Sequence, residues 1–157
     1  MNDDQAADTL EINNLLCRFM QSFDDKDWRA MRECLVGDLF CDYSNFRGTP
    51  AGRVAADDYV AARKEGLAEL AMQHNFFNLR VTMLDHEAAS ARCNFVIHRF
   101  LSISPDSVNA YFHSYGHYRF TFTRTRGIWK ISGIVQVLLK NAGNPEIHGA
   151  IRSSGAV

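Results

Sequence analysis

The sequence predicts an α+β fold in which helices come first and a strongly curved, mostly antiparallel sheet follows. Apolar residues recur at helical spacing up to about residue 24, and a later helical pattern covers about residues 54–70. From His74 onward, four long segments are rich in β-branched and aromatic residues, as strands are. A sheet that curves over packed helices would leave a pocket between the two layers.

The N-terminal half supplies the helices. Asp8 and Glu11 are spaced as a capping pair, which predicts a helix from there to about Asp24. Its apolar face would consist of Ile12, Leu15, Leu16, Phe19 and Phe23. A second, short helix would turn Trp28, Met31 and Leu35 inward. The segment DLFCDYSNF then alternates like a strand, and RGTPAGR is predicted to be a loop because of its Gly and Pro.

The second half supplies the sheet. Its strand segments are HNFFNLRVTML, ASARCNFVIHRFLSI, NAYFHSYGHYRFTFTRT and IWKISGIVQVLL. The pairs Asp85-His86 and Arg126-Gly127 fall between these segments and predict tight hairpin turns. Gly116 and Gly133 lie inside strands, where glycine is typical of a bend or a bulge. We expect these two glycines to give the sheet its curvature.

Composition limits the functional classes. The chain has 157 residues, 46% hydrophobic and 22% charged, with a net charge of −1, which fits a single globular domain. No basic run predicts nucleic-acid binding, and no apolar run approaches the roughly 20 residues of a membrane span. The acidic start MNDDQAADT is unlike a targeting peptide. The four cysteines have no metal-binding spacing, so we expect reduced thiols, a cytoplasmic protein and no bound metal.

The segment FDDKDW, residues 23–28, contains the first candidate for a functional residue. At about 100° per residue, Asp25 would face solvent, while Asp27 is placed to cap the helix that begins near Trp28. Asp24 would lie at the border of the buried face. It is either a carboxylate that bonds to nearby backbone or a functional acid directed inward.

The longer segment SFDDKDWRAMRECLVGDLFCDYSNF, residues 22–46, resembles the N-terminal part of scytalone dehydratase and its SnoaL-like relatives. The matching positions are Phe23-Asp24 before Lys26-Asp27-Trp28, then Asp42-Tyr43, Phe46, Gln73-His74, His98 in FVIHRF, and GIWKISG at residues 127–133. The resemblance covers most of residues 15–135. It departs at Phe23, where the family has a tyrosine, and on the fourth strand, where Tyr118 is nearest to the family's asparagine.

The resemblance implies a fold and a site. The fold would be a cone-shaped, cystatin-like α+β roll of the nuclear-transport-factor-like superfamily, one domain over residues 1–157 with 141–157 as a tail or lid. The catalytic set would be Asp24, His74, His98 and Tyr43. His74 would be the proton shuttle, His98 would contact the leaving group and Tyr43 would polarise the substrate carbonyl. Which histidine pairs with Asp24 stays open, and no cofactor is implied. Each of these residues also has a purely structural interpretation, as a packed or turn residue.

The pocket residues that we expect are Phe19, Phe23, Phe46, Phe100 and Tyr118, which suit a small apolar or aromatic ligand. His113 and His117 are expected to line the pocket or face solvent, and His86 and His148 to be exposed. The predicted function is a cofactor-free dehydratase or isomerase acting on a small cyclic or aromatic hydroxy-ketone, with loss of another leaving group such as halide left open. The alternative is a ligand-binding module or the β subunit of a ring-hydroxylating dioxygenase. In the first case we expect a homo-oligomer, a dimer or trimer.

Overall fold

The computed structural model describes residues 3–104 and 106–148. The helices are α1 (Asp3–Asp24), α2 (Trp28–Cys34), α3 (Ser44–Arg47) and α4 (Ala56–Gly66). The strands are β1 (Leu35–Asp42), β2 (Gly52–Ala55), β3 (Leu70–Met83), β4 (Ala88–Leu101), β5 (Phe112–Thr125) and β6 (Ile128–Gly143), and a 3₁₀ turn follows at Pro145–Ile147. The α+β prediction is confirmed.

The six strands form one open, mixed sheet in the order β2-β1-β6-β5-β4-β3. Only β1 and β6 run parallel among the described strands, and all other neighbours are antiparallel. The helix α1 packs against β3 and α2. Its residues Ile12, Leu16 and Phe19 are buried together with Phe120 and Phe122 of β5. The core therefore lies between the helices and the inner face of the sheet.

Two glycines allow the sheet to bend, as the sequence predicts. The ladder between β5 and β6 shifts register at two points, one beside Gly116 and one beside the Thr121–Gly133 pair. A Cβ on Gly116 would lie 2.1 Å from the Val137 carbonyl oxygen, and one on Gly133 would lie 2.4 Å from Thr121 Oγ1. The contact at Gly116 is with backbone, so glycine is required there, whereas a side chain at position 133 would require the Thr121 hydroxyl to turn aside.

The helix boundaries differ from the predicted ones at three places. Helix α2 ends at Cys34, so Leu35, which the sequence predicts on the inner face of that helix, is instead the first, buried residue of β1. Helix α1 begins at Asp3, so Asp8 lies inside it and does not cap it. The Asp8 carboxylate instead accepts hydrogen bonds from Arg124 and from Trp129 Nε1 at the far end of the sheet. Helix α4 begins at Ala56 and ends at Gly66, inside the predicted range, because the preceding residues pair with β1 as strand β2.

The DLFCDYSNF segment is a strand only as far as Asp42. The Asp42 carboxylate accepts hydrogen bonds from the backbone N–H of Ser44 at 3.0 Å and from its hydroxyl at 2.6 Å. This local turn competes with the strand ladder and starts the short helix α3. Tyr43 and Phe46 therefore approach the sheet from a helical turn beyond the end of β1.

Candidate functional site

The three aspartates of FDDKDW separate as the sequence predicts. Asp25 is exposed, and Asp27 caps α2 by accepting the backbone N–H of Ala30 at 2.9 Å. Asp24 is the last residue of α1 and faces β3. Lys26 has a φ of 55°, and its ammonium group donates to the Ala68 carbonyl at 2.6 Å, so the turn is held against the end of α4.

Asp24 is bonded to His74 in two ways. Its carboxylate accepts the backbone N–H of His74 at 2.9 and 3.0 Å, and its Oδ1 lies 2.7 Å from the ring Nδ1. Since a carboxylate only accepts, a neutral His74 ring carries its proton on Nδ1 and leaves Nε2 as a base. The contact settles which of the two candidate histidines Asp24 meets.

The His74 ring is enclosed. Its side chain is 5% exposed, and the Phe23 ring stacks on it with centroids 4.5 Å apart. Burial lowers the pKa of His74 below its usual value, the hydrogen bond that the ring donates to Asp24 opposes this, and Arg99 lowers the pKa further. The imidazole is therefore neutral at pH 7. Phe23, which lacks the family's hydroxyl, serves here as a stacking surface.

A narrow cavity lies beside His74, between α3, α4 and the inner face of the sheet. Its free volume is about 20 Å³, room for one water-sized molecule. The lining residues are Phe23, Tyr43, Phe46, Arg47, Arg63, Leu67, His74, Ile97, Arg99, Tyr118, Gln136 and His148. An adjacent cleft of about 260 Å³ shares Tyr43, Arg47 and Arg63 with the cavity. These three side chains therefore separate the cavity from the wider cleft.

Three arginines converge on this cavity. Arg99 on β4 is 3% exposed and donates from Nη1 to the Ser114 hydroxyl at 2.8 Å. Arg63 on α4 is 7% exposed and lies over the Tyr59 ring at 4.0 Å. Arg47 on α3 lies over the Tyr43 ring at 5.0 Å. Burial lowers the pKa of Arg47 and of Arg99 to about 10, so both stay charged at neutral pH.

Three tyrosine hydroxyls near these cations take part in hydrogen bonds. The hydroxyls of Tyr43 and Tyr59 lie 2.8 Å apart in a hydrogen bond. The Tyr118 hydroxyl accepts a hydrogen bond from Gln136 Nε2 at 2.8 Å, and both of these side chains are buried. The predicted pocket residues Phe23, Phe46 and Tyr118 thus line the same cavity as His74 and Tyr43.

His148 is buried, and the prediction that it is exposed is wrong. After β6, Asn144 caps the 3₁₀ turn at Pro145–Ile147, which directs the chain back onto the sheet. His148 is 1% exposed and packs between the edges of the Phe46 and Phe112 rings. Burial and the neighbouring arginines lower the pKa of His148 to about 2. Of the predicted tail, residues 141–143 belong to β6 and residues 149–157 lie outside the described part.

His98 lies on the opposite face of the sheet from the cavity. It pairs with Gln73, whereas His74 pairs with Ile97, and paired residues of antiparallel strands share a face. Its ring is 4.7 Å from that of His113, and its Nδ1 is 3.5 Å from Gln73 Oε1. Arg99, one residue later, occupies the inner face.

Two of the predicted pocket phenylalanines are elsewhere. Phe100 shares the outer face with His98 and contacts His113 at 5.1 Å between ring centroids. Phe19 is in the core, with its ring edge-on to Phe23 and Phe120, and it does not line the cavity. His113 and His117 are on the outer face of β5, partly exposed. Within residues 3–104 and 106–148, no cluster of three or more His, Cys, Asp or Glu side chains is placed to bind a metal ion.

The cavity-lining residues that the sequence did not reveal are Arg47, Arg63, Arg99, Gln136 and His148. For Arg99 a weak signal exists, since it alternates with Phe95 and Ile97 in FVIHRF. The other alternation, Val96, His98 and Phe100, is equally apolar, so the pattern does not tell which face is buried.

The fold and the family agree with the expected resemblance. The SnoaL-like domain profile matches residues 4–135, and the chain belongs to this family. Scytalone dehydratase from Colletotrichum orbiculare is 25% identical over 147 residues, which are 90% of this chain and 73% of that protein.

Two solved structures share the fold over most of their length. The Kfla4162 protein from Kribbella flavida has a TM-score of 0.83 and 22% identity, over 91% of this chain and 97% of its own. An NTF2-like protein with a cystatin-like fold from Novosphingobium aromaticivorans has a TM-score of 0.68 and 22% identity, over 87% and 85%. The cystatin-like α+β roll is thereby confirmed. No helix in the described residues is long and apolar enough to cross a bilayer.

Proposed function

We propose that this protein is a cofactor-free lyase or isomerase that moves a proton with His74. The observation that supports the proposal is the contact between Asp24 Oδ1 and His74 Nδ1, 2.7 Å long, at the wall of a narrow cavity. A carboxylate that orients a neutral imidazole makes its free nitrogen a base near neutral pH. The 25% identity to a scytalone dehydratase agrees with this class of chemistry.

The proposed reaction is loss of water from a β-hydroxy carbonyl compound. His74 Nε2 takes the proton from the carbon next to the carbonyl, and the electron pair of that C–H bond forms an enolate. The enolate expels the β-hydroxyl as a C=C bond forms, and the imidazolium returns its proton to that oxygen, which leaves as water. The histidine ends neutral, so one residue serves as base and then as acid.

Asp24 is a positioning residue in this scheme. Its charge stabilises the imidazolium between the two proton transfers, and its bond to Nδ1 fixes the tautomer. Tyr43 is proposed to donate a hydrogen bond to the carbonyl oxygen as enolate charge develops, while the nearby guanidinium groups favour that charge. His98 has no role in this scheme because its side chain is on the outer face.

The alternative is a ligand-binding module or a structural β subunit. An orienting carboxylate on a buried histidine argues against it, since a scaffold does not need an acid–base pair at the wall of a cavity. If the protein is a subunit, it should co-purify with an iron-bearing α chain. If it is an enzyme, the purified chain should act alone, as the homo-oligomer that we propose.

The test is a histidine titration by NMR combined with an activity screen. In Asp24→Asn, the pKa of His74 should fall below its wild-type value, because Asp24, the group whose hydrogen bond and charge favour the imidazolium, loses its charge. Purified protein is also incubated with cyclic β-hydroxy ketones, and enone formation is followed by absorbance. His74→Gln should lower the rate by about 100-fold or more.

The matched control is His117→Gln, the same substitution on the outer face of β5, which should retain the wild-type rate. A His74 whose pKa does not respond to Asp24→Asn would contradict the proposed pair. Equal rates in His74→Gln and His117→Gln would contradict the proposed role of His74.

A further inference from the structure

The arginines around the cavity have no acidic partner. In the part of the chain that the structure describes, no carboxylate lies within ion-pair distance of Arg47, Arg63 or Arg99. The groups that influence the pKa of Arg47 and Arg99 are burial, tyrosines and other arginines. Buried charges are normally paired, because removing an ion from water costs several kcal/mol. Three cations without a carboxylate partner around one cavity therefore suggest that an anion from outside the described residues pairs with them.

Unsatisfied hydrogen-bonding atoms mark the same place. Among the described residues, five buried side-chain nitrogen or oxygen atoms lack a partner. Four of them belong to residues that line this cavity: Arg47 Nε, Arg99 Nε, Gln136 Oε1 and His148 Nδ1. The side chains of Arg99, Gln136 and His148 are each more than nine-tenths buried. Buried polar atoms are rarely unpaired in folded proteins, and such a concentration indicates a surface shaped for a polar ligand.

The contacts that these arginines make with residues 3–104 and 106–148 do not neutralise their charge. Arg63 stacks on Tyr59 and Tyr43, and Arg99 bonds to the Ser114 hydroxyl and to the Phe112 carbonyl. These contacts orient the guanidinium groups, but phenol rings, hydroxyls and carbonyls are uncharged. His148 is neutral at physiological pH and adds no charge of either sign. The positive charge is therefore left for a ligand.

We propose that the cavity binds a carboxylate group, so that the substrate is a small aromatic or cyclic β-hydroxy carbonyl compound that also carries a carboxylate. This inference rests on the proposed function for the reaction itself, but not for binding. A planar guanidinium matches a planar carboxylate through two parallel hydrogen bonds. The rings of Phe23, Phe46 and Tyr118 suit a flat, apolar body attached to that group. The carboxylate lies among the arginines, and the reactive carbon faces His74.

The geometry also indicates how such a ligand enters. The cavity has room for only one water-sized molecule, whereas the adjacent cleft holds about 260 Å³. Arg47 lines both, on the four-residue helix α3, and is only half-buried. We infer that the substrate arrives through the cleft and that Arg47 turns aside and then closes on the carboxylate.

The experiment is equilibrium binding of matched small probes to the full chain, measured by calorimetry and by histidine NMR. Benzoate carries the charge, and benzyl alcohol has nearly the same shape without it. Benzoate should bind at least about tenfold more tightly, because each charged hydrogen bond to a buried guanidinium favours the anion. Equal affinity for the two probes would overturn the proposal. A phenyl phosphate that binds more tightly than benzoate would overturn the assignment to a carboxylate.

Substitutions locate the site. Arg99→Gln should weaken benzoate binding at least about tenfold and leave benzyl alcohol unchanged. Arg119→Gln is the matched control, because Arg119 is exposed on the outer face of β5 beside Tyr118, and it should bind benzoate as wild type does. An equal loss of benzoate affinity in Arg99→Gln and Arg119→Gln would contradict the proposed location of the carboxylate site. If Arg99→Gln does not fold, Arg47→Gln makes the same test.

The two proposals fail separately. Asp24→Asn removes a charge from the His74 side of the cavity and leaves the three arginines in place. It should abolish proton transfer and retain benzoate binding. If benzoate binds to wild type while the pKa of His74 does not change in Asp24→Asn, the proposed anion site is supported and the proposed chemistry is not. If His74 responds but benzoate shows no preference, the carboxylate is ruled out and the chemistry stands.

Discussion

Within residues 3–104 and 106–148, two regions contain buried or half-buried arginines, and only one of them pairs its arginine with a carboxylate. At the far end of the sheet, Arg124 lies over the Trp129 ring at 4.6 Å and is bonded to the Asp8 carboxylate. Asp8 also accepts the Trp129 indole N–H at 3.1 Å. At the cavity, the three arginines contact rings and neutral oxygens and, among the described residues, no carboxylate.

This difference distinguishes an arginine that stabilises the fold from arginines that we propose bind a ligand. A partly buried cation that is paired with a carboxylate contributes to the fold, and removal of either group leaves the other one unpaired. A buried cation without a carboxylate partner lowers folding stability, because its loss of hydration is not compensated within the protein. The same cation can form a strong ion pair with a bound anionic ligand. The two regions should therefore respond to substitution with opposite signs.

The largest stability effect is expected at the paired arginine. Asp8→Ala leaves Arg124 without its carboxylate and Trp129 Nε1 without an acceptor, and it should lower the free energy of unfolding by about 3 kcal/mol. Urea denaturation measures this. Asp38→Ala, which removes the acid of the exposed Asp38–Arg53 pair, is the control and should cost less than about 0.5 kcal/mol. Equal losses would show that burial of the Asp8 pair contributes nothing.

The next effect concerns pH. The folded pKa of His148, about 2, lies below its ordinary value of 6.5. Above pH 6.5, His148 is neutral in both the folded and the unfolded chain, and its full contribution to the free energy of unfolding is present. As the pH falls below 6.5 the unfolded chain takes up a proton that the folded chain refuses, so stability is lost. At pH 5 this amounts to about 2 kcal/mol.

The variant His148→Gln has no proton to take up. It should therefore lose less stability than wild type between pH 7 and pH 5, as measured by urea denaturation at each pH. His86→Gln, at an exposed turn position, is the matched control and should follow the wild-type pH dependence. A His148→Gln profile identical to that of wild type would mean that His148 is protonated in the folded state.

The fold was predictable because its signals are local. Helical spacing, strand composition and the glycines at the two bends are properties of short segments, and each segment agrees with the final architecture. Asp24 was accessible in the same way, since helical projection separates it from Asp25 and Asp27. The helix start at Asp3 was missed because Asp8 resembles a cap, although its carboxylate contacts Arg124, 116 residues away along the chain.

The site was predictable only in part because it is assembled from distant segments. His74 and Tyr43 were expected from a family pattern, whereas Arg47, Arg63 and His148 are brought together by three separate elements. On β4, both alternations are apolar, and the choice between Arg99 and His98 depends on pairing with β3. A single sequence contains no signal for that register.

The smallest effect, and the one that most sharpens the comparison, is expected for Arg47→Met. This change removes a half-buried cation that has no acid partner among the described residues and lies near Arg63, and it retains an apolar side chain of similar length. The free energy of unfolding should stay the same or rise by about 1 kcal/mol, while benzoate affinity falls. A fall in stability comparable to that of Asp8→Ala would show that the contact of Arg47 with the Tyr43 ring holds the fold. In that case the cavity arginines, like Arg124, would be structural residues. A fall in the free energy of unfolding for Asp8→Ala together with a rise for Arg47→Met would instead support different roles for the two regions.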